Sequence, residues 1–316
     1  MSRKTYPRAQ VEAIGGTTGF VRTGLFGLVV PDVYDIELIS DMADPRLQPF
    51  RHMRQQEDYL GRGIFVAEEP KIVGRLLASP HEVISVVVPP EWREEIEPLI
   101  AGRAEKITLF VVELKVLETL TGYKMHQGVL ALARIPPPIS ESALLTRSSP
   151  DKPRASRLLI ATDGTSNAEN VGGLIRNAVA LGADTLVSGE NSAHPYLRRA
   201  VRASMGNIFT FPYFRCSDLI QTLQQLQAHG IVCVATTPEA TATPLWESDL
   251  ARDICLVFGA EGPGLRPEVI AACEESLCIP MHAGINSLNV GSAAAVIMAE
   301  SARQRTPRLD RGQRVR

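Results

Sequence analysis

No stretch of this chain approaches the ~20 consecutive apolar residues that a membrane-spanning helix needs. Its opening MSRKTYPRAQ also has no apolar core of the secretory kind. A cytoplasmic protein without membrane contact is the expectation. The five cysteines, Cys216, Cys233, Cys255, Cys273 and Cys278, show no C-x-x-C spacing, and most stand in apolar runs such as IVCVA and ICLVF. That pattern excludes a disulfide frame or a zinc site and reads as reduced, buried thiol. The six histidines form no H-x-x-x-H pair, so no metal is implied. There is little charge imbalance either: a net charge of −2 excludes a globally basic nucleic-acid coat but leaves room for local patches.

Such patches exist. Arg198, Arg199 and Arg202 cluster within five positions, and the tail RQRTPRLDRGQRVR (303–316) holds six arginines against one aspartate. For the tail, a solvated segment and a phosphate contact are both open readings.

With 316 residues, 45% apolar and 22% charged, the chain has room for two ordinary domains. Apolar runs at 63–68, 83–89, 107–112 and 128–134 read as strands, with helices over 70–79 and 90–102. Of residues 1–60 only 36–44 is weakly helical. The Pro- and Ser-rich stretch 136–157 reads as a linker. Beyond it strands and amphipathic helices alternate strictly, with RLLIATD, DTLVSG, NIFTFP, IVCVATT, ICLVFG and SLCIP as strands. Such alternation predicts a mainly parallel sheet covered on both faces. The resulting division is an extension (1–59), a small α/β module (60–135), a linker (136–154), a large α/β domain (155–305) and a basic tail (306–316).

Three stretches of the large domain join a strand-like run to a helix-like run through glycine and asparagine: AENVGGLIRNA (168–178), LVFGAEGPGLRPE (256–268) and SLNVGSAAAV (287–296). Tight turns at the carboxyl ends of parallel strands let backbone amides approach a ligand. The GAEGPG turn lacks the G-K-[ST] ending of a phosphate loop, and Glu261 at its centre would repel phosphate oxygens. A neutral or cationic ligand, or a hydroxyl donor, fits better. No early G-x-G-x-x-G turn of a nucleotide-dependent dehydrogenase is found. Arg176 follows Asn170 by six positions near one helix end, where a guanidinium can fork onto a phosphate. Ser287 and Asn289 are both capping residues, and capping explains one of them.

In this order, with IPM (279–281) between the second and third, the stretches resemble the three motifs of the SpoU/TrmH family of RNA 2′-O-ribose methyltransferases. RASMGNIF (202–209) resembles the family segment between the first and second motifs, and parts of 63–134 more loosely resemble its accessory module. The resemblance implies an α/β fold of the SPOUT type: a mainly parallel sheet with a C-terminal trefoil knot, preceded by a small α/β, ribosomal-protein-like RNA-binding module. It implies a homodimer that binds S-adenosylmethionine, with the RNA site across the interface. Gly259, Ile279, Met281 and Leu288 are then expected to hold the cofactor, and Asn170, Arg176, Glu261, Ser287 and Asn289 to form the catalytic set. Arg198, Arg199 and Arg202 are expected to contact RNA, ribosomal RNA ahead of transfer RNA. On this division a chain lacking 1–135 keeps cofactor affinity and loses RNA affinity. The other reading is a catalytically silent RNA-binding or assembly protein. Two departures from the pattern stand beside the motifs: Asn167 and Ala168 where many members have Asp-Pro, and Gly291 and Ser292 where a small residue and valine are common.

Overall fold

The structure, a computed structural model, describes residues 34–39, 44–51, 56–122, 124, 127–146, 156–282, 285 and 287–306. Residues 1–33, most of the expected extension, and 307–316, nearly all of the basic tail, lie outside the described residues. No described helix is long and apolar enough to cross a membrane.

The first sheet contains β1 (Tyr34–Leu38), β2 (Ile64–Glu68), β3 (Val83–Val88), β4 (Ile107–Val111) and β5 (Leu130–Arg134), in the order β1-β4-β3-β5-β2. β1, β4 and β3 run parallel, and β5 is antiparallel to both β3 and β2. Around it lie α1 (Gln48–Arg51), α2 (Gln56–Gly61), α3 (Pro70–Leu77), α4 (Arg93–Ala101) and α5 (Leu114–Thr121). The weakly helical reading of 36–44 is corrected here, because Tyr34–Leu38 pairs residue for residue with Ile107–Val111. Pairing with a strand some 70 positions away outweighs a weak local preference.

The second sheet is wholly parallel. It holds β6 (Leu158–Thr162), β7 (Thr185–Ser188), β8 (Tyr213–Arg215), β9 (Val232–Thr236), β10 (Thr243–Pro244), β11 (Ile254–Phe258) and β12 (Glu275–Cys278), ordered β10-β12-β9-β11-β6-β7-β8. Every residue of the central strands β6 and β11 is buried, which is why they read as unbroken apolar runs. Among the described residues, six helices belong to this half: α6 (Glu141–Leu145), α7 (Ala168–Ala180), α8 (Arg198–Ala203), α9 (Leu219–Ala228), α10 (Pro267–Ala272) and α11 (Val290–Arg305). The strand expected over NIFTFP is displaced: Asn207–Thr210 is a 3-10 turn and the strand is Tyr213–Arg215. Ile208, Phe209 and Phe211 are buried in the core shared with the first sheet, so their apolar character serves the seam rather than a sheet.

That seam unites the two halves. Phe65, Ile72, Val73 and Leu76 belong to the same buried cluster as Leu158, Ile160, Tyr196, Val201 and Phe209. The Phe65 ring lies 4.9 Å from that of Tyr196 and 5.8 Å from that of Phe209. Arg75 of α3 donates to the Met205 carbonyl at 2.6 Å and to Asn207 Oδ1 at 2.9 Å. The expected linker is likewise packed where it is described. Ile139 donates to the Tyr213 carbonyl at 2.9 Å, the Tyr213 hydroxyl donates to the Pro136 carbonyl at 2.8 Å, and Leu144 of α6 is buried. Residues 147–155 lie outside the described residues.

His81 sits in this seam, 7% exposed, with Nε2 2.8 Å from the Tyr196 hydroxyl and Nδ1 3.1 Å from Ser79 Oγ. Burial, aided by the nearby Arg103 charge, holds its pKa down to about 4. In the unfolded chain the ring takes up its proton near pH 6.5, while in the fold it stays neutral until about 4. Stability from this group is therefore present above pH 6.5 and lost as pH falls towards 4, by at most about 3 kcal/mol. Melting temperatures measured from pH 7 to 4.5 should fall, and H81Q should show a shallower acid slope.

Candidate active site

The site grows from three strand ends of the parallel sheet. After β6 the chain turns into α7, whose N-cap Asn167 accepts a hydrogen bond from the Glu169 amide at 2.9 Å. The cap satisfies one of the free amides at a helix start. Asn167 thus caps the helix at the point where the sequence departs from Asp-Pro. Asn170 lies in the first turn of α7, and Arg176 stands nearly two turns further on.

After β11 the chain doubles back. Ala260 and Gly264 exchange backbone hydrogen bonds at 3.0 and 3.1 Å, while Gly262 and Gly264 adopt φ of 85° and 75°. A Cβ on Gly259 would stand 2.3 Å from the Gly264 carbonyl carbon, so only glycine fits that crossing. Glu261 projects from the exposed top of the turn.

Asn289 caps α11 and does more. Its Oδ1 accepts from the Gly291 and Ser292 amides at 2.9 and 3.3 Å. Its Nδ2 donates to Glu261 Oε1 at 2.7 Å and to Asn170 Oδ1 at 3.2 Å. One side-chain amide therefore ties all three loops together. Ser287 takes no part in the cap and lines the cleft beside it. Gly291 is tied in turn to α7, its carbonyl accepting from Asn177 Nδ2 at 2.8 Å.

Beneath this junction lies a cleft of about 290 Å³, partly open to solvent. Gly259, Ile279, Met281 and Leu288 form part of its wall, together with Glu261, Ser287 and Asn289. Asn170 and Arg176 are not on that wall. Asn170 meets it through Asn289, and its own Nδ2 is buried with no hydrogen-bond partner among the described residues. Arg176 is exposed on α7 and makes no side-chain hydrogen bond or ion pair among the described residues. Sequence reasoning missed Thr236, Thr237 and Pro238, which line the cleft after β9, and the apolar walls Leu277 and Ile297. A Thr-Thr-Pro run directly after a buried strand, on the same sheet edge as the other loops, was the available signal.

The three arginines part company. Arg198, its side chain 14% exposed, pairs with Glu68 across the seam. Arg202 is more than half exposed, with Glu68 and Glu69 each at 3.7 Å. Arg199 is exposed to solvent.

Residues 157–299 match the model of the SpoU rRNA Methylase family. A protein of Mycobacterium tuberculosis described as an uncharacterised tRNA/rRNA methyltransferase is 32% identical over 280 residues, covering 86% of this chain and 94% of that one. The chain belongs to the SpoU/TrmH family. A Burkholderia 23S rRNA (guanosine-2′-O-)-methyltransferase, RlmB, is 33% identical over 64% of this SpoU/TrmH chain and 79% of its own. In fold the chain is similar to an AdoMet-bound rRNA methyltransferase of Sinorhizobium meliloti, with a TM-score of 0.72 at 22% identity over 85% of this chain and 98% of that one. The three stretches that resemble the SpoU/TrmH motifs are the loops that Asn289 joins.

Proposed function

We propose that this chain transfers a methyl group from S-adenosylmethionine to a ribose 2′-hydroxyl of structured RNA, ribosomal RNA ahead of transfer RNA. Family membership and the 2′-O activity in the name of the Burkholderia relative support the reading. The observation that carries it is the single Asn289 amide holding Asn170 and Glu261 at the mouth of the cleft.

The cleft suits the donor. Its volume stands at the lower edge of small-molecule sites, and apolar walls combined with a few polar groups are what a nucleoside joined to an amino acid requires. Gly259, Ile279, Met281 and Leu288 would hold it. When bound, S-adenosylmethionine supplies a methyl group on a positively charged sulfur. The protein's part is to place a ribose hydroxyl and steady the charge that develops as its proton passes to solvent water. Orienting two reactants contributes a large share of such a rate. The exposed Arg176 guanidinium is available to a ribose or phosphate oxygen, and Asn170 Nδ2, buried and with no hydrogen-bond partner among the described residues, is a spare donor at the junction. A guanidinium keeps its proton, so Arg176 stabilises negative charge and does not act as the base. Glu261 orients Asn289.

The proposal includes the trefoil knot in the segment from β11 to α11, and pairing of two copies with RNA across the contact. Ala180 on α7 and Ser292 and Val296 on α11 are exposed, and the Asn177–Gly291 hydrogen bond ties the two helices, so side chains of modest size are available for approach of a second copy. RNA recruitment falls to the first sheet with Arg199 and Arg202.

The test is transfer of labelled methyl groups into RNA from cells lacking the gene, followed by digestion to nucleosides. Label in 2′-O-methylnucleosides is expected, and label confined to the bases would overturn the reading. N289D should separate fold from function. Aspartate still caps α11, but it cannot donate to Asn170 and places a second carboxylate beside Glu261. Turnover is expected to fall by about 10²-fold with little change in melting temperature, on the scale of losing one oriented donor at a reacting centre.

A further inference from the structure

A second polar cluster, Asp163, Glu190 and Arg266, lies at the carboxyl ends of β6, β7 and β11, and none of the three lines the cleft. Asp163, 1% exposed, follows β6. Its Oδ1 accepts from Arg266 Nε at 2.7 Å and its Oδ2 from the Arg266 amide at 2.9 Å. Arg266 Nη2 donates to Glu190 Oε1 at 2.7 Å, and Glu190 Oε2 accepts the Leu219 amide, at the start of α9, at 3.0 Å. Burial opposes the Glu190 charge, but its own amide, Arg266 and the Leu219 amide outweigh it and lower its pKa. The same short segment after β6 holds the other end of the glycine turn: the Asp163 amide donates to the Phe258 carbonyl at 2.9 Å and Thr165 Oγ1 to the Gly259 carbonyl at 3.3 Å. The 259–265 turn is therefore clasped at both ends by residues 163–165.

Topology gives the clasp a further meaning. β6 and β11 are neighbours, yet the chain leaves β6 towards β7 on one side and leaves β11 towards β12 on the other. In parallel sheets that point of divergence is the usual crevice for a ligand. Here the Arg266 side chain spans it, and the cleft lies instead over β11, β9 and β12. A buried carboxylate is tolerated only while it is paired, so the turn cannot lift away without stranding Asp163.

We propose that Asp163 and Arg266 are positioning residues that fill the divergence point and hold Gly259 and Glu261 at the cleft wall, so that affinity for the methyl donor depends on a clasp the donor does not touch. This rests on the methyl-donor reading above.

Calorimetric titration with S-adenosylmethionine at 25 °C tests it on full-length D163N and R266Q, with L109A, in the core of the first sheet, as a variant that loses stability elsewhere. Expected is a tenfold or larger rise in Kd for D163N and R266Q in samples that melt cooperatively, against a change within twofold for L109A. If R266Q, which strands the buried Asp163 carboxylate, does not fold, D163N decides, since it leaves Arg266 partly exposed and still paired with Glu190. A Kd within twofold of wild type in D163N or folded R266Q, or an equal rise in L109A, overturns the clasp. A wild-type protein that binds no donor overturns the methyl-donor reading itself, and the clasp's role with it.

Discussion

R176A should lower methyl transfer to RNA by about 10²- to 10³-fold while affinity for S-adenosylmethionine stays within about twofold of wild type, the loss expected of a donor aimed at developing charge. The split follows from where the residue stands. Arg176 is absent from the cleft wall and exposed on α7, without a side-chain partner among the described residues, so its removal breaks no contact that shapes the donor site. R176K should fall between the two, since an ammonium keeps the charge but not the planar fork that grips a phosphate. Single-turnover methylation alongside donor titration separates the effects, and undiminished turnover in R176A would remove the residue from the catalytic set.

Deleting residues 1–135 should leave a protein that aggregates or melts without cooperativity. The domain boundaries suggested by the sequence imply instead a free-standing 155–305 domain that still binds the donor. The packing argues against that outcome. Phe65, Ile72, Val73 and Leu76 are buried in one cluster with Tyr196, Val201, Ile208 and Phe209. Each fully buried apolar side chain is worth about 1.5–3 kcal/mol, so losing the first four removes about 6–12 kcal/mol. Typical domains have only about 5–15 kcal/mol in total. Arg198 would lose its Glu68 partner as the seam around it opens to water. Circular dichroism and gel filtration of the truncated chain check this, and a soluble, cooperatively melting product with wild-type donor affinity would show that the halves are separable.

These two expectations mark where local reading works. The turns were legible because glycine at Gly259, Gly262 and Gly264 and asparagine at Asn167 and Asn289 answer demands made within a few residues: positive φ, close approach and helix capping. The parallel sheet was legible because strands buried on both faces are apolar throughout. The strand at Tyr34–Leu38 was not, since its pairing with β4 depends on residues some 70 positions away. Nor was the seam: Arg198, grouped by sequence with Arg199 and Arg202 as an RNA contact, has its charge engaged by Glu68, 130 positions before it.

The order of the sequence alone determined the family motifs, the alternation of strand and helix, and the glycines at which the chain must turn, because short-range sterics and hydrophobic period act between near neighbours. Only the tertiary structure decided that Asn289 meets Asn170 across 119 positions, that the two sheets share a core, and that Arg266 occupies the divergence point. Those contacts exist because the packing of one parallel sheet brings distant strand ends to a common edge, and no local preference encodes which ends will meet.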